Sequence, residues 1–272
     1  MENTLIIRGQ VDQYIDRVPT EKTIFNLLVR DKHKISDKYE LIMRPLGWWL
    51  NKKGIPATNK MISGIKSDGT RVFLCQHISV DQLKFRNSDI VFTPHATTNN
   101  KHKALPFYAV SVDKSLISDE REFEFSFLGS IATHNIRKKL VKLYPRNCFD
   151  SHVYWGIEQK DNKKFVNRYI KMLGNTKFGI CPRGTGPGSI RMFEVMAMGS
   201  IPVVIADGYK FPLDSIIDWG KISISVKEKD IGNIADILKQ YDYETMRNAM
   251  SKIYDRYFKN DVLHETVINV LS

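Results

Sequence analysis

From its first residues the chain alternates short apolar runs with amphipathic stretches. "TLIIRG" is a buried strand ending at Gly9, and "QVDQYIDRVPTE" behind it is a loop. "TEKTIFNLLVRDKHK" has helical spacing with Thr20 as its N-cap. "KYELIMRPLGWWLNKKG" is apolar on one side but interrupted by Pro45 and Gly47, which predicts a strand or short helix entering a Trp-rich turn. Strands follow at "TRVFLCQ", "SDIVFTPHA" and "PFYAVSV", with a short helix at "ISVDQLKF".

Around "DKSLISDERE" the pattern turns polar and then restarts. "FEFSFLGS" is a strand ending at Gly129, and the helix "THNIRKKLVKLYP" follows directly. Next come strand "NCFDSHVYW", helix "DNKKFVNRYIKMLGN", strand and loop "KFGICPRG", helix "SIRMFEVMAMG" and strand "IPVVIAD". "FPLDSIIDWG" reads as a short helix, "KISISV" as a strand, and two helices close the chain. Strand, helix, strand in succession predicts the α/β class, with parallel strands joined by helical crossovers in doubly wound sheets. Two such units are expected, residues 1–117 and 118–272, with the last helix able to cross back to the first unit and a cleft between them as the default binding site.

Length and composition fit this picture: 272 residues, 42% hydrophobic and 26% charged, with no low-complexity tract. "MENTLIIRGQ" carries neither a secretory signal nor a signal anchor, and no run nears the roughly 18 apolar residues of a spanning helix, so the expected location is cytoplasmic. Cys75, Cys148 and Cys181 are widely spaced and form no CxxC pair, so neither a disulfide framework nor a zinc site is indicated. Lysine and arginine outnumber acids 41 to 30, for a net charge of +11. That excess suits either a solvated surface or a face for nucleic acid, anionic membrane or phosphorylated small molecules.

The densest chemistry lies in "KFGICPRGTGPGSIRMFE": a strand, a loop with Gly184, Gly186 and Gly188, then a helix starting near Ser189. Free backbone N–H groups and the positive helix end favour phosphate there, and Arg183 and Arg191 add charge that pairs with phosphate oxygens. Glu194 is either a hydrogen-bond acceptor for a ribose diol, a capping partner near Ser189 and Ile190, or an ion pair for Arg191. The loop is neither a Walker A loop nor a GxGxxG after the first strand.

These residues resemble the exostosin-like glycosyltransferases, family 47. Cys181, Pro182, Arg183 and Gly184 match its C-P-R-G; Ser189, Arg191 and Glu194 match its S-x-R-x-x-E. Gly199, Ile201, Pro202 and Val203 match the next turn, and Gly208, Tyr209, Pro212 and Trp219 the last segment. Val195, Ser200 and the order Phe211-Pro212-Leu213 depart from the pattern as packing changes. "FSFLGS…IRKKL" extends the resemblance to about residues 123–230, and "DIVFTPH" matches loosely upstream.

The resemblance implies a GT-B fold, with two facing Rossmann-like domains, the acceptor on the first and a nucleotide-sugar donor on the second. It implies that Glu194 holds the ribose, that Arg183, Gly184, Ser189 and Arg191 lie near the diphosphate, and that Arg137 is a second diphosphate ligand. Read alone, Arg137 is equally a solvated helix residue beside Lys138 and Lys139. The activity implied is inverting transfer of a sugar such as xylose, galactose or glucuronic acid from a UDP-sugar to a glycan hydroxyl. No D-x-D motif is present, so arginines and a helix end replace a metal, and no cofactor is expected.

Inversion needs a base. Asp12 and His95 are candidates at strand ends, with His77 and His134 behind them, and for each a structural or surface role outweighs the catalytic one. Trp48, Trp49 and Trp155 offer flat faces for a sugar or serve as core. The rival readings are a GDP-sugar transferase and a non-catalytic nucleic-acid- or glycan-binding protein; no nucleic-acid-binding motif appears. Animal and plant exostosin relatives usually begin with a Golgi signal anchor, so a microbial or large-DNA-virus source is expected.

Overall fold

In the computed structural model, which describes residues 6–8, 18–110, 112–151 and 163–272, the strands are β1 (Ile6–Arg8), β2 (Tyr39–Ile42), β3 (Thr70–Leu74), β4 (Ile90–Thr93) and β5 (Lys103–Ala104). They continue as β6 (Phe123–Gly129), β7 (Cys148–Asp150), β8 (Thr176–Pro182), β9 (Ile201–Ile205) and β10 (Ile224–Ser225). The helices are α1 (Pro19–Arg30), α2 (Leu46–Ser63), α3 (Asn135–Leu143) and α4 (Lys163–Gly174). After them come α5 (Ile190–Ala197), α6 (Ile234–Leu238), α7 (Tyr243–Tyr257) and α8 (Glu265–Leu271).

The first unit comprises Met1–Tyr108, Gly208–Ile216 and Tyr257–Ser272. Its sheet runs in chain order, β1-β2-β3-β4-β5, all parallel. Side chains alternate between faces along each strand. Leu41, Val72, Leu74 and Phe92 therefore pack with Ile24, Phe25 and Leu28 of α1, while Ile42, Phe73 and Val91 pack with Leu46, Leu50 and Ile62 of α2. Both faces are covered, which is why these strands are apolar nearly throughout. Val267, Ile268 and Leu271 of α8 join the α1 side. Each such side chain contributes roughly 1.5–3 kcal/mol on burial.

The second unit comprises Ala109–Asp207 and Ile217–Arg256. Its order, β10-β9-β8-β6-β7, all parallel, reverses direction between β6 and β8. That reversal is the doubly wound arrangement, and the carboxyl ends of β6 and β8 flank its switch point. The first unit thus ends at Tyr108 rather than at residue 117, and residues 208–216, taken from the sequence as part of the second unit, belong to the first. There Thr97 bridges Tyr209, and Lys210 N–H donates to the Ala96 carbonyl at 3.0 Å.

Local differences from the sequence pattern have plain causes. Pro19 occupies the first turn of α1, where a missing N–H costs nothing, so the helix starts ahead of Thr20. Pro45 precedes α2 instead of breaking it, and the break falls at Gly54, whose φ of 75° and ψ of 176° are not helical. Residues 106–110 of "PFYAVSV" form no strand, and β5 forms just before them at Lys103–Ala104. "FPLDSIIDWG" makes turns and a single 3-10 turn at Trp219–Lys221. Among the described residues no helix is long and apolar enough to cross a membrane.

Candidate active site

β6 ends at Gly129 and β8 at Pro182, and the loops leaving them meet at Arg137. Its Nε donates to the Arg183 carbonyl at 2.9 Å, Nη2 to the Pro182 carbonyl at 3.1 Å and Nη1 to the Ser130 carbonyl at 3.1 Å. One guanidinium in the first turn of α3 therefore staples the two strand ends. Burial, aided by nearby Arg191, pulls its pKa down to about 9. An anion would relieve that cost, and the group keeps further N–H donors for one.

The Gly-rich loop lies against this staple. A Cβ at Gly184 would stand 3.3 Å from Arg137 Nη2 and 3.4 Å from Thr133 Oγ1. Thr133 Oγ1 is itself buried without a hydrogen-bond partner. Arg183 is about a quarter exposed and faces Glu228 at 3.7 Å. Ser189 occupies the N-cap of α5 in extended conformation but makes no side-chain cap bond, so the first N–H groups of α5 lack a side-chain cap. The capping alternative for Glu194 finds no support in that geometry.

Arg191 and Glu194 lie deeper. Arg191 donates from Nη2 to the Leu128 carbonyl at 2.6 Å and sits 4.5 Å from the Phe127 ring centroid and 5.5 Å from that of Tyr169. A Cβ at Gly129 would run into Arg191 Nη2, so the glycine leaves room for the guanidinium where it stands. Nε of Arg191 is buried and unpartnered. Glu194 is fully buried and accepts the Tyr169 hydroxyl at 2.7 Å. Burial, then the Glu194 charge, drives the Tyr169 pKa well up. Cys181 is a buried free thiol pushed up to about 12, which makes it packing and not a nucleophile.

The base candidates separate by burial. Asp12 lies outside the described residues, as does Trp155. His95 is 5% exposed, edge-on to Phe107, and burial pulls its pKa to about 4. His77 has both nitrogens occupied, by Asn51 Oδ1 at 3.1 Å and the Ser79 N–H at 3.1 Å. His134 caps α3 by accepting the Ile136 N–H at 3.3 Å. Trp48 packs against the first unit's core, and Trp49 Nε1 is buried without a partner. Among the described residues, the one cluster with metal-ligand character is Asp31, His264 and Glu265 in the first unit. Arg30 and Lys34 already pair with its carboxylates, so it locks α8 to α1.

Thr133 escaped the sequence reading because a threonine in a polar loop carries no pattern. Only its closeness to Gly184 marks it.

The exostosin GT47 domain model matches residues 53–241, more than half of the chain. Probable glucuronoxylan glucuronosyltransferase IRX7 of Arabidopsis thaliana is 28% identical over 159 residues, covering 56% of this chain and 33% of that protein. The exostosin-1 homolog of Caenorhabditis elegans is 30% identical over 118 residues, covering 42% of this chain and 31% of that one. This chain thus spans about a third of the length of these relatives. Among solved structures, TarM aligns with a TM-score of 0.44 and 12% identity over 92% of this chain and 58% of TarM. The expected cytoplasmic location is overturned: the relatives are glycosyltransferases of the Golgi lumen.

Proposed function

The chain belongs to the exostosin GT47 family, and from that premise we propose that its second unit grips a nucleoside-diphosphate sugar, a UDP-sugar, at the switch point between β6 and β8. The sugar passes to a glycan hydroxyl with inversion and without a metal. The observation that carries this reading is the Arg137 staple: a partly desolvated cation, fixed by three carbonyls, at the carboxyl ends of two parallel strands.

The leaving group carries nearly two negative charges, so cations and N–H groups fixed beforehand lower the barrier most. Arg137, Arg183, the Gly184 backbone and the Ser189 end of α5 supply them for the diphosphate. Arg191 backs this set from beneath Gly129. Glu194 takes the ribose diol in this reading, and its bond to Tyr169 then gives way to a ribose hydroxyl.

The test is calorimetric titration in EDTA with UDP, GDP and a panel of UDP-sugars, on wild type and Arg137→Ala. Micromolar binding of UDP-sugars that weakens at least about tenfold in the variant supports the reading, since a charge-assisted contact is worth about 1.5–3 kcal/mol. Preference for GDP moves the donor class. Binding that requires a divalent ion removes the metal-independent mechanism, and absence of any nucleotide binding removes the transferase reading.

A further inference from the structure

In the second unit, β6 ends at Gly129 and α3 begins at Asn135, and the loop between them, residues 130–134, is fixed from both sides. The Ile131 N–H donates to Asp150 Oδ1 at 3.3 Å, and the Ala132 N–H to Ser130 Oγ at 3.3 Å, beside a single 3-10 turn over Ile131–Thr133. His134 then caps α3, its Nδ1 accepting the Ile136 N–H at 3.3 Å. Groups held in place beforehand stabilise charge without having to reorganise.

Thr133 and His134 each keep a donor that nothing among the described residues takes up. Thr133 Oγ1 is buried and has no hydrogen-bond partner. It stands 3.4 Å from the position of a Cβ at Gly184, and Arg137 Nη2 stands 3.3 Å from the same point. A hydroxyl and a cation therefore converge under a residue that has no side chain. A buried hydroxyl without a partner destabilises a fold, so its place there calls for another reason. In His134, Nδ1 accepts an N–H, so Nε2 carries the proton. The residue is partly exposed, which leaves that N–H open to a ligand.

The charged groups acting on the His134 ring are Arg183 and Arg137, which oppose an imidazolium, and Glu228, which favours one. Burial is the largest influence, and it joins the arginines in holding the pKa below its ordinary value. The ring is therefore neutral at neutral pH, with its one lone pair already committed to the α3 cap. A base needs that lone pair; a donor does not.

We propose that loop 130–134 is a second phosphate-binding loop opposite the Gly-rich one, in which Thr133 Oγ1 and His134 Nε2 donate to oxygens of the diphosphate. This rests on the UDP-sugar reading above. Gly184 roofs Thr133 without a side chain, so a phosphate oxygen that displaces it meets Oγ1 and Arg137 Nη2 together. No proton is transferred: both donors hold the charge that builds on the leaving oxygen. Being neutral, they do so without adding to the repulsion between Arg137 and Arg191.

The experiment titrates UDP in EDTA by calorimetry and measures melting temperature for wild type, Thr133→Val, His134→Asn and His134→Gln. Asparagine keeps the helix cap and lacks the Nε2 donor; glutamine extends an amide donor to the place of Nε2 and caps poorly. Expected in Thr133→Val and His134→Asn is a loss of UDP affinity of about tenfold or more, with melting at or above the wild-type temperature. His134→Gln melts lower and binds UDP within about threefold of wild type. Thr133→Val or His134→Asn binding UDP within about threefold of wild type overturns the assignment of that residue and leaves the transferase reading intact. So does affinity lost together with melting temperature in that variant, which marks a bracing role, and for His134 a loss in the Gln variant as large as in the Asn variant. Wild type that binds no UDP overturns both readings.

Discussion

The hydroxyl of Tyr169, on α4, donates to Oε2 of Glu194, on α5, at 2.7 Å, and both residues are closed to solvent. This bond separates two roles for Glu194. If the carboxylate takes a ribose, Tyr169 competes with the ligand for it, and Tyr169→Phe binds UDP at least as tightly as wild type. Glu194→Gln then loses about tenfold or more, as expected for a charge-assisted bond. Titration of both variants reads this directly. If Glu194 only braces the core, both substitutions lower the melting temperature and leave UDP affinity alone.

A second prediction concerns Gly129. An alanine there places its Cβ on Arg191 Nη2 and pushes the guanidinium off the Leu128 carbonyl. Gly129→Ala is expected to cost about 1–3 kcal/mol by overpacking, measured by urea unfolding. The same variant weakens UDP binding, because Arg191 lies directly behind the proposed diphosphate site. Unchanged stability would mean that Arg191 has another resting place.

Glu21 makes stability depend on pH. Its Oε1 accepts the Gly47 and Gln76 N–H groups at 3.0 and 2.8 Å, yet Oε2 is buried without a partner. Burial raises its pKa from 4.5 to about 8, against the pull of those backbone bonds. Between these values the folded chain holds a proton that the unfolded chain has lost, so stability falls as pH rises through that window. The loss by neutral pH is on the order of 3 kcal/mol. Glu21→Gln keeps the acceptor and removes the charge, so its unfolding free energy should be flatter with pH than that of wild type. Parallel slopes for the two proteins would sink the idea.

The sequence carried the glycine and arginine cluster because its chemistry is local: Arg183, Gly184, Ser189 and Arg191 lie within nine residues on one strand–loop–helix turn. Arg137 came only through resemblance, since a helical arginine beside two lysines reads as solvated surface. Burial of Glu194 was not legible, because its Tyr169 partner comes from another helix and periodicity does not say which helices meet. Residues 208–216 went to the wrong unit because a turn-rich segment after a strand says where the chain leaves a sheet, not where it settles.

The return of α8 to the first unit sets an order of events during synthesis. Leu263, Val267, Ile268 and Leu271 share one core with Ile24, Phe25 and Leu28. The ribosome makes the whole of the second unit between these two sets. The first unit therefore waits with an open apolar face until residues 263–271 have been made, while the second completes its sheet ahead of it. Of the two units, the one whose strands emerge first is the one that matures last. A chaperone that shields the α1 face would have most to do in that interval.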